Sequence, residues 1–227
     1  MSLLARPATL AAALLACPFV HAARPMVTDD ASIVAPRECQ VEAWTDRHPG
    51  DIQYWAVPHC NPGGDWELAA GAGELRPTPA HASTSGLLLA KTVFRPLEPN
   101  GWSAGMTLAN QFGRGSGFLS NASLNALLSF SLMDDAVRVH VNAGWLRVHG
   151  ARSGPSWGLG GEWTASPRWS LTLESYGQGS TYAQAGVRYA TPSGDVILDA
   201  ALGDRISLRG KERYLAFGLT FTGLSLR

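Results

Sequence analysis

From about residue 37 to the C-terminus, apolar and polar residues alternate in segments of roughly ten, with turn residues between them. Residues 136–145 show the pattern best. Val137, Val139, Val141, Ala143 and Trp145 share one parity; Arg138, His140, Asn142 and Gly144 share the other. A strand sends successive side chains to opposite faces, so each parity is a face. The same alternation places Ala122, Leu124, Ala126, Leu128 and Phe130 opposite Ser123, Asn125, Ser129 and Ser131. It places Trp169, Leu171 and Leu173 opposite Ser170, Thr172 and Glu174, and Leu215, Phe217, Leu219 and Phe221 opposite Tyr214, Ala216, Gly218 and Thr220. A greasy face backed by a charged one predicts a wall with lipid outside and water or a polar plug inside, the pattern of a transmembrane β-barrel.

Twelve strands are expected, near 38–46, 52–60, 65–74, 85–95, 101–111, 120–133, 136–148, 157–165, 168–177, 181–190, 195–205 and 212–222, with ten or eight as alternatives. Tight connections (Asn61 to Gly64, Pro96 to Asn100, Asp134-Asp135, Ser166-Pro167, Thr191 to Gly194) alternate with looser ones. Short turns belong on the periplasmic side of a bacterial barrel and longer loops outside. Counted back from a periplasmic C-terminus, every tight turn lands on that side. Trp66, Trp102, Trp145, Trp157 and Trp169 fall near strand ends on the apolar face, where rings with a polar edge settle at membrane interfaces. A soluble β-sandwich also alternates, but with shorter strands. The chain ends Gly223-Leu224-Ser225-Leu226-Arg227, without the terminal aromatic usual in such barrels; Phe221 is the nearest.

The first residues do not belong to the wall. Leu10 to Val20 is apolar, and Val20-His21-Ala22 suits a signal peptidase, so residues 1–22 read as a leader cleaved after Ala22. Leu14-Leu15-Ala16-Cys17 offers an alternative lipoprotein site, with Leu15 and Pro18 poorly suited to it. Residues 23–37 show no period and form an irregular segment, either a periplasmic tail or a thread into the lumen; residues 38–227 form the barrel. Two cysteines remain. A hairpin folded at Pro49-Gly50 pairs residues whose numbers sum to 99, so Cys39 faces Cys60 and Trp44 faces Trp55. Export to an oxidising compartment favours a Cys39–Cys60 disulfide.

The whole 227-residue chain has 18 basic and 18 acidic residues, a balance that gives no sign of a nucleic-acid partner. The inward parity carries Glu67, Lys91, Arg138, His140, Asn142, Glu162, Glu174, Arg188, Asp199 and Arg205 as expected lumen-lining residues. These either filter solutes in a narrow pore or fill the lumen as ion pairs. Glycines on the same parity (Gly71, Gly105, Gly144, Gly160, Gly186, Gly203, Gly218) relieve crowding or leave room for a solute or plug.

No cofactor, metal site or catalytic residue is expected. His59 beside Cys60 lacks a companion ligand pair, and no phosphate loop, zinc motif or calcium loop occurs. Ser153 and Ser156 near His149 lack the nucleophile signatures of lipid hydrolases.

The start Arg24-Pro25-Met26-Val27-Thr28-Asp29-Asp30-Ala31, with Cys39-Gln40-Val41-Glu42-Ala43-Trp44, resembles a group of uncharacterised proteobacterial outer-membrane barrel proteins. That group is loosely similar to the meta-pathway phenol-degradation outer-membrane family, to which movement of small molecules is ascribed. The resemblance implies an outer-membrane barrel and supplies no catalytic residues. The expectation is a monomeric barrel in the bacterial outer membrane, contacting membrane lipid and the barrel-assembly machinery, that passes a small-molecule solute passively or by facilitation. The alternatives are a non-transporting structural or adhesive barrel with an ion-paired lumen and, further off, a lipid-modifying enzyme.

Overall fold

A computed structural model describes residues 26–113, 118–119, 121–150, 152–207 and 212–226. The expected leader and the alternative lipidation site at Cys17 lie outside the described residues. These form a closed antiparallel barrel of twelve strands in up-and-down order, β12 pairing with β1. The strands are β1 (Glu38–His48), β2 (Asp51–Cys60), β3 (Trp66–Pro77), β4 (Ser83–Arg95), β5 (Trp102–Gly113), β6 (Asn121–Leu132), β7 (Val137–Leu146), β8 (Gly154–Ser166), β9 (Trp169–Gly177), β10 (Thr181–Ala190), β11 (Val196–Arg205) and β12 (Tyr214–Ser225). Closure leaves no unpaired sheet edge, the condition for a sheet in hydrocarbon.

Several strands run further than the sequence pattern, among them β3 to Pro77, β8 from Gly154 and β12 to Ser225. β8 begins at Gly154, where Gly154 and Pro155 continue the ladder opposite Leu146 and Trp145. β12 runs to Ser225 because Glu38 and Cys39 of β1 remain there to pair with it. The β1–β2 hairpin has the expected register: Cys39 opposes Cys60 and Trp44 opposes Trp55. A disulfide joins the cysteines, and the two indoles stack with centroids 5.9 Å apart. The hairpin turns on two residues, with Gly50 at φ +98°, a conformation that side-chain-bearing residues rarely adopt.

The two faces divide as the alternation requires. Leu215, Phe217 and Phe221 are exposed while Tyr214, Ala216 and Thr220 are buried. Trp66, Trp102, Trp163 and Trp169 are exposed near the tight-turn end, and Trp145 and Trp157 near the loop end. Two aromatic girdles so placed bracket a membrane-spanning band. The inner face is not uniformly polar. Trp44, Val57 and Ala69 are buried inside β1–β3, with Trp55, Leu87 and Leu89 packed on them.

Candidate functional site

The lumen is occupied by the chain itself. Residues 26–36 run through it without regular secondary structure, toward the tight-turn end where β1 begins. Of the two sequence alternatives for this stretch, the thread is the one observed. Met26, Thr28, Asp30, Ala31 and Val34 are buried.

The barrel holds this segment mainly through its backbone. Glu174 on β9 accepts from the N–H groups of Val27 (2.8 Å) and Thr28 (2.7 Å). Asn142 on β7 accepts from Asp29 N–H at 2.7 Å and donates to the Asp29 carbonyl at 2.8 Å. Ser129 on β6 accepts from Ala31 N–H at 2.8 Å, and the same hydroxyl lies 2.8 Å from His140 Nδ1. Glu67 on β3 accepts from Val34 N–H at 2.8 Å, while Asn61 in the β2–β3 turn donates to the Val34 carbonyl at 2.9 Å. A segment with no ladder partner needs donors and acceptors for its peptide groups once buried, and these side chains supply them.

One cation fastens the middle. Lys91 Nζ on β4 lies 2.8 Å from Asp29 Oδ1 and 2.9 Å from Asp30 Oδ1, and Thr107 on β5 donates to Asp29 Oδ2 at 3.1 Å. Room for the segment comes from missing side chains on β8. A Cβ at Gly158 would sit 2.7 Å from Thr28 Oγ1, and one at Gly160 would sit 2.6 Å from Met26 Cε.

Other inward charges are paired within the wall. Arg188, fully buried on β10, donates to Glu162 on β8 at 2.7 Å and to Asp199 on β11 at 2.8 Å. His59 Nδ1 lies 2.9 Å from Glu67, and its Nε2 lies 3.5 Å from Glu42. At the loop end, His48 stacks on Tyr214 and Tyr176 on Tyr182. Tyr214 donates to Gln184, which donates to Glu174, so this aromatic group is hydrogen-bonded to the carboxylate that holds Val27 and Thr28.

Each expected lumen residue can now be placed. Glu67, Lys91, Asn142 and Glu174 touch the segment directly. His140 stands behind Ser129, and Glu162, Arg188 and Asp199 form one ion-paired group. Arg138 lines the cavity at the tight-turn end. Arg205 sits at the loop-end rim, paired with Glu212 and 5.6 Å from the Tyr182 ring centroid. Ser129, Thr107, Asn61 and Gly158 lay outside the expected set although all four shape the segment's path. Inward parity marks Ser129 and Thr107, but nothing in the sequence distinguishes them from other small polar positions. Ser156, an enzyme candidate, is buried and donates to Asn125, whereas His149 is exposed. Among the described residues no group of three or more His, Cys, Asp or Glu side chains is arranged to hold a metal ion.

The space left open is unequal at the two ends. A cavity of about 730 Å³ opens among the tight turns. Its apolar wall includes Ile33, Val34, Val93 and Leu97, and its polar wall includes Asp30, Arg138 and His140. Toward the loop end there is about 50 Å³, between Val27, Trp44, His48, Tyr176 and Tyr214. The segment Met26–Val34 separates the two.

Solved structures with this architecture include the KdgM porin in complex with disordered oligogalacturonate, at 10% identity and a TM-score of 0.63, covering 81% of this chain and 99% of that one. The NanC porin aligns at 9% identity and a TM-score of 0.57, covering 81% and 98%. Omp33 of Acinetobacter baumannii aligns at 7% identity and a TM-score of 0.54, covering 82% and 98%. At such identities the likeness shows the fold, that of bacterial outer-membrane barrels. No curated protein sequence matches the chain. The model of the family described as "Uncharacterised conserved protein UCP029691" matches residues 10–222, and the chain belongs to that family.

Proposed function

We propose that the protein is a monomeric outer-membrane channel for small solutes, closed at rest by its own segment Met26–Val34. The observation that carries this reading is how that segment is held. Its contacts are hydrogen bonds to peptide groups and one lysine between two aspartates. Water or a solute can replace such bonds one for one, so the net cost of undocking is about 0.5–1.5 kcal/mol for each neutral bond and about 1.5–3 kcal/mol for each bond to a charged group. The cavity among the tight turns, which Asp30 to Pro36 line, gives a displaced segment somewhere to go. The porin fold of the neighbours is in keeping with passage of small molecules. So is the resemblance of residues 24–31 and 39–44 to proteins near the meta-pathway phenol-degradation family. Glu67, Lys91, Arg138, His140, Glu162, Glu174, Arg188, Asp199 and Arg205 would then set selectivity along the path or at its rim.

A second reading is a non-transporting barrel whose loops bind a partner. The buried Arg188–Glu162–Asp199 group favours it, because such a cluster fills space rather than lines water.

Single-channel conductance of the refolded mature protein in a planar bilayer decides between them. The channel reading expects brief, charge-selective steps in the wild type and longer openings in Lys91→Gln, which removes the charge and shortens the side chain by one atom. A folded, heat-modifiable protein that passes no current in either form overturns the channel reading, favours the filled barrel and moves the search for function to the outer loops.

A further inference from the structure

We infer that the lumen is a binding track for short acidic oligopeptides, and that Met26–Val34 is a tethered stand-in for them. This rests on the channel reading for its transport consequence, but the binding geometry stands by itself. Seven main-chain groups of the segment are read by side chains of the wall: the N–H groups of Val27, Thr28, Asp29, Ala31 and Val34 and the carbonyls of Asp29 and Val34. Every peptide carries these groups at the same spacing, so this part of the recognition is blind to sequence. Its most specific element is Asn142, which pairs with the N–H and the C=O of a single residue, as a backbone partner would. A sugar ring offers no such donor and acceptor at peptide spacing.

Sequence enters at one place. Lys91 sits between two consecutive carboxylates, with Thr107 on the far side of the first. Charge-assisted bonds of this kind are about twice as strong as neutral ones, so a peptide with two adjacent acidic residues is preferred there. On the β8 side, Gly158 and Gly160 leave a trough for the side chains two and four places before the second acidic residue. Chain-length selection follows from the ends. Glu174 and Glu67 take N–H groups at Val27 and Val34, so a peptide spanning both has eight residues or more, at most about 3.3–3.6 Å each.

The test uses the full mature chain with its own segment weakened by Asp29→Asn and Asp30→Asn, and with folding verified by heat modifiability. Three probes are added to the bilayer: an acetylated nonapeptide with the sequence of residues 26–34, the same peptide with asparagine at both acidic positions, and maltohexaose. Blockade by the acidic peptide at a concentration about tenfold below that of its asparagine counterpart, lost when Lys91→Gln is added, supports the inference. Equal blockade by both peptides, equal blockade by maltohexaose, or no blockade of an existing current overturns it while leaving the channel reading intact. If the variant passes no current, the channel reading fails and tryptophan fluorescence decides the track, since Trp44 lines the small cavity with Val27. A saturable, Lys91-dependent change then supports a peptide track without passage, and an unchanged spectrum overturns it.

Discussion

Asn142 and Asp29 form a closed two-bond pair across the lumen, one bond from main-chain N–H to Oδ1 and one from Nδ2 to main-chain oxygen. They are 113 positions apart in the chain, on a β-strand and on a segment with no regular structure. The pair holds Asp29 at the height of Asn142, which is itself fixed in a paired strand.

Replacing Asn142 by leucine removes both bonds and leaves two part-buried peptide groups of Asp29 without them. Docking of the segment is expected to weaken by about 1–3 kcal/mol. The measurement is open probability in a bilayer, which should rise at least severalfold while the heat-modifiable barrel persists. An unchanged open probability would remove Asn142 from the gate.

Gly158→Leu acts on the same gate from the opposite wall. Even the first carbon of the new side chain meets Thr28 Oγ1 at 2.7 Å and Thr28 Cγ2 at 3.1 Å. The wall is a paired strand and the segment is not, so the segment yields. Protease sensitivity of residues 26–36 in the folded barrel should increase, and a fully protected segment would contradict the packing.

Arg188→Leu leaves Glu162 and Asp199 facing each other inside the wall with their shared cation gone. Breaking a buried pair in this way costs roughly 3–5 kcal/mol. The temperature at which the barrel loses its compact migration on gels should fall clearly. Adding Glu162→Gln and Asp199→Asn should restore most of the loss, because the stranded charges are then absent. No recovery would mean that Arg188 acts through its packing.

Leu128→Arg tests the facing of β6. Leu128 alternates with the buried Leu127 and Ser129 and pairs with Ala104 and Val141 on neighbouring strands. An arginine on the lipid face near the midplane costs roughly 2–4 kcal/mol. Insertion into lipid vesicles should drop, and normal insertion would place Leu128 away from the hydrocarbon.

Much of the wall is legible in the sequence. The period of two in Ala122 to Ser131 or Val137 to Trp145 assigns each residue to lipid or lumen, because one face of a spanning strand is required to be apolar. The Cys39–Cys60 and Trp44–Trp55 pairings follow from one turn at Pro49-Gly50, since an antiparallel hairpin with its turn known has its register known. The inner apolar patch of Trp44, Val57 and Leu87 was not legible, because a lumen exempts its lining from any single polarity.

What the sequence by itself determined is everything set by local alternation and turn chemistry: the strands, their facing and the hairpin disulfide, whereas the inward charges Glu42 and His59 escaped it. The tertiary structure alone decided which inward groups meet. Arg188 reaches Glu162 from two strands away, and Lys91 finds its carboxylates on a segment 61 and 62 residues distant. Residues 26–36 have no period because their partners are not their neighbours. Their peptide groups are satisfied by side chains from β3, β6, β7 and β9, which only closure of the barrel brings around one axis.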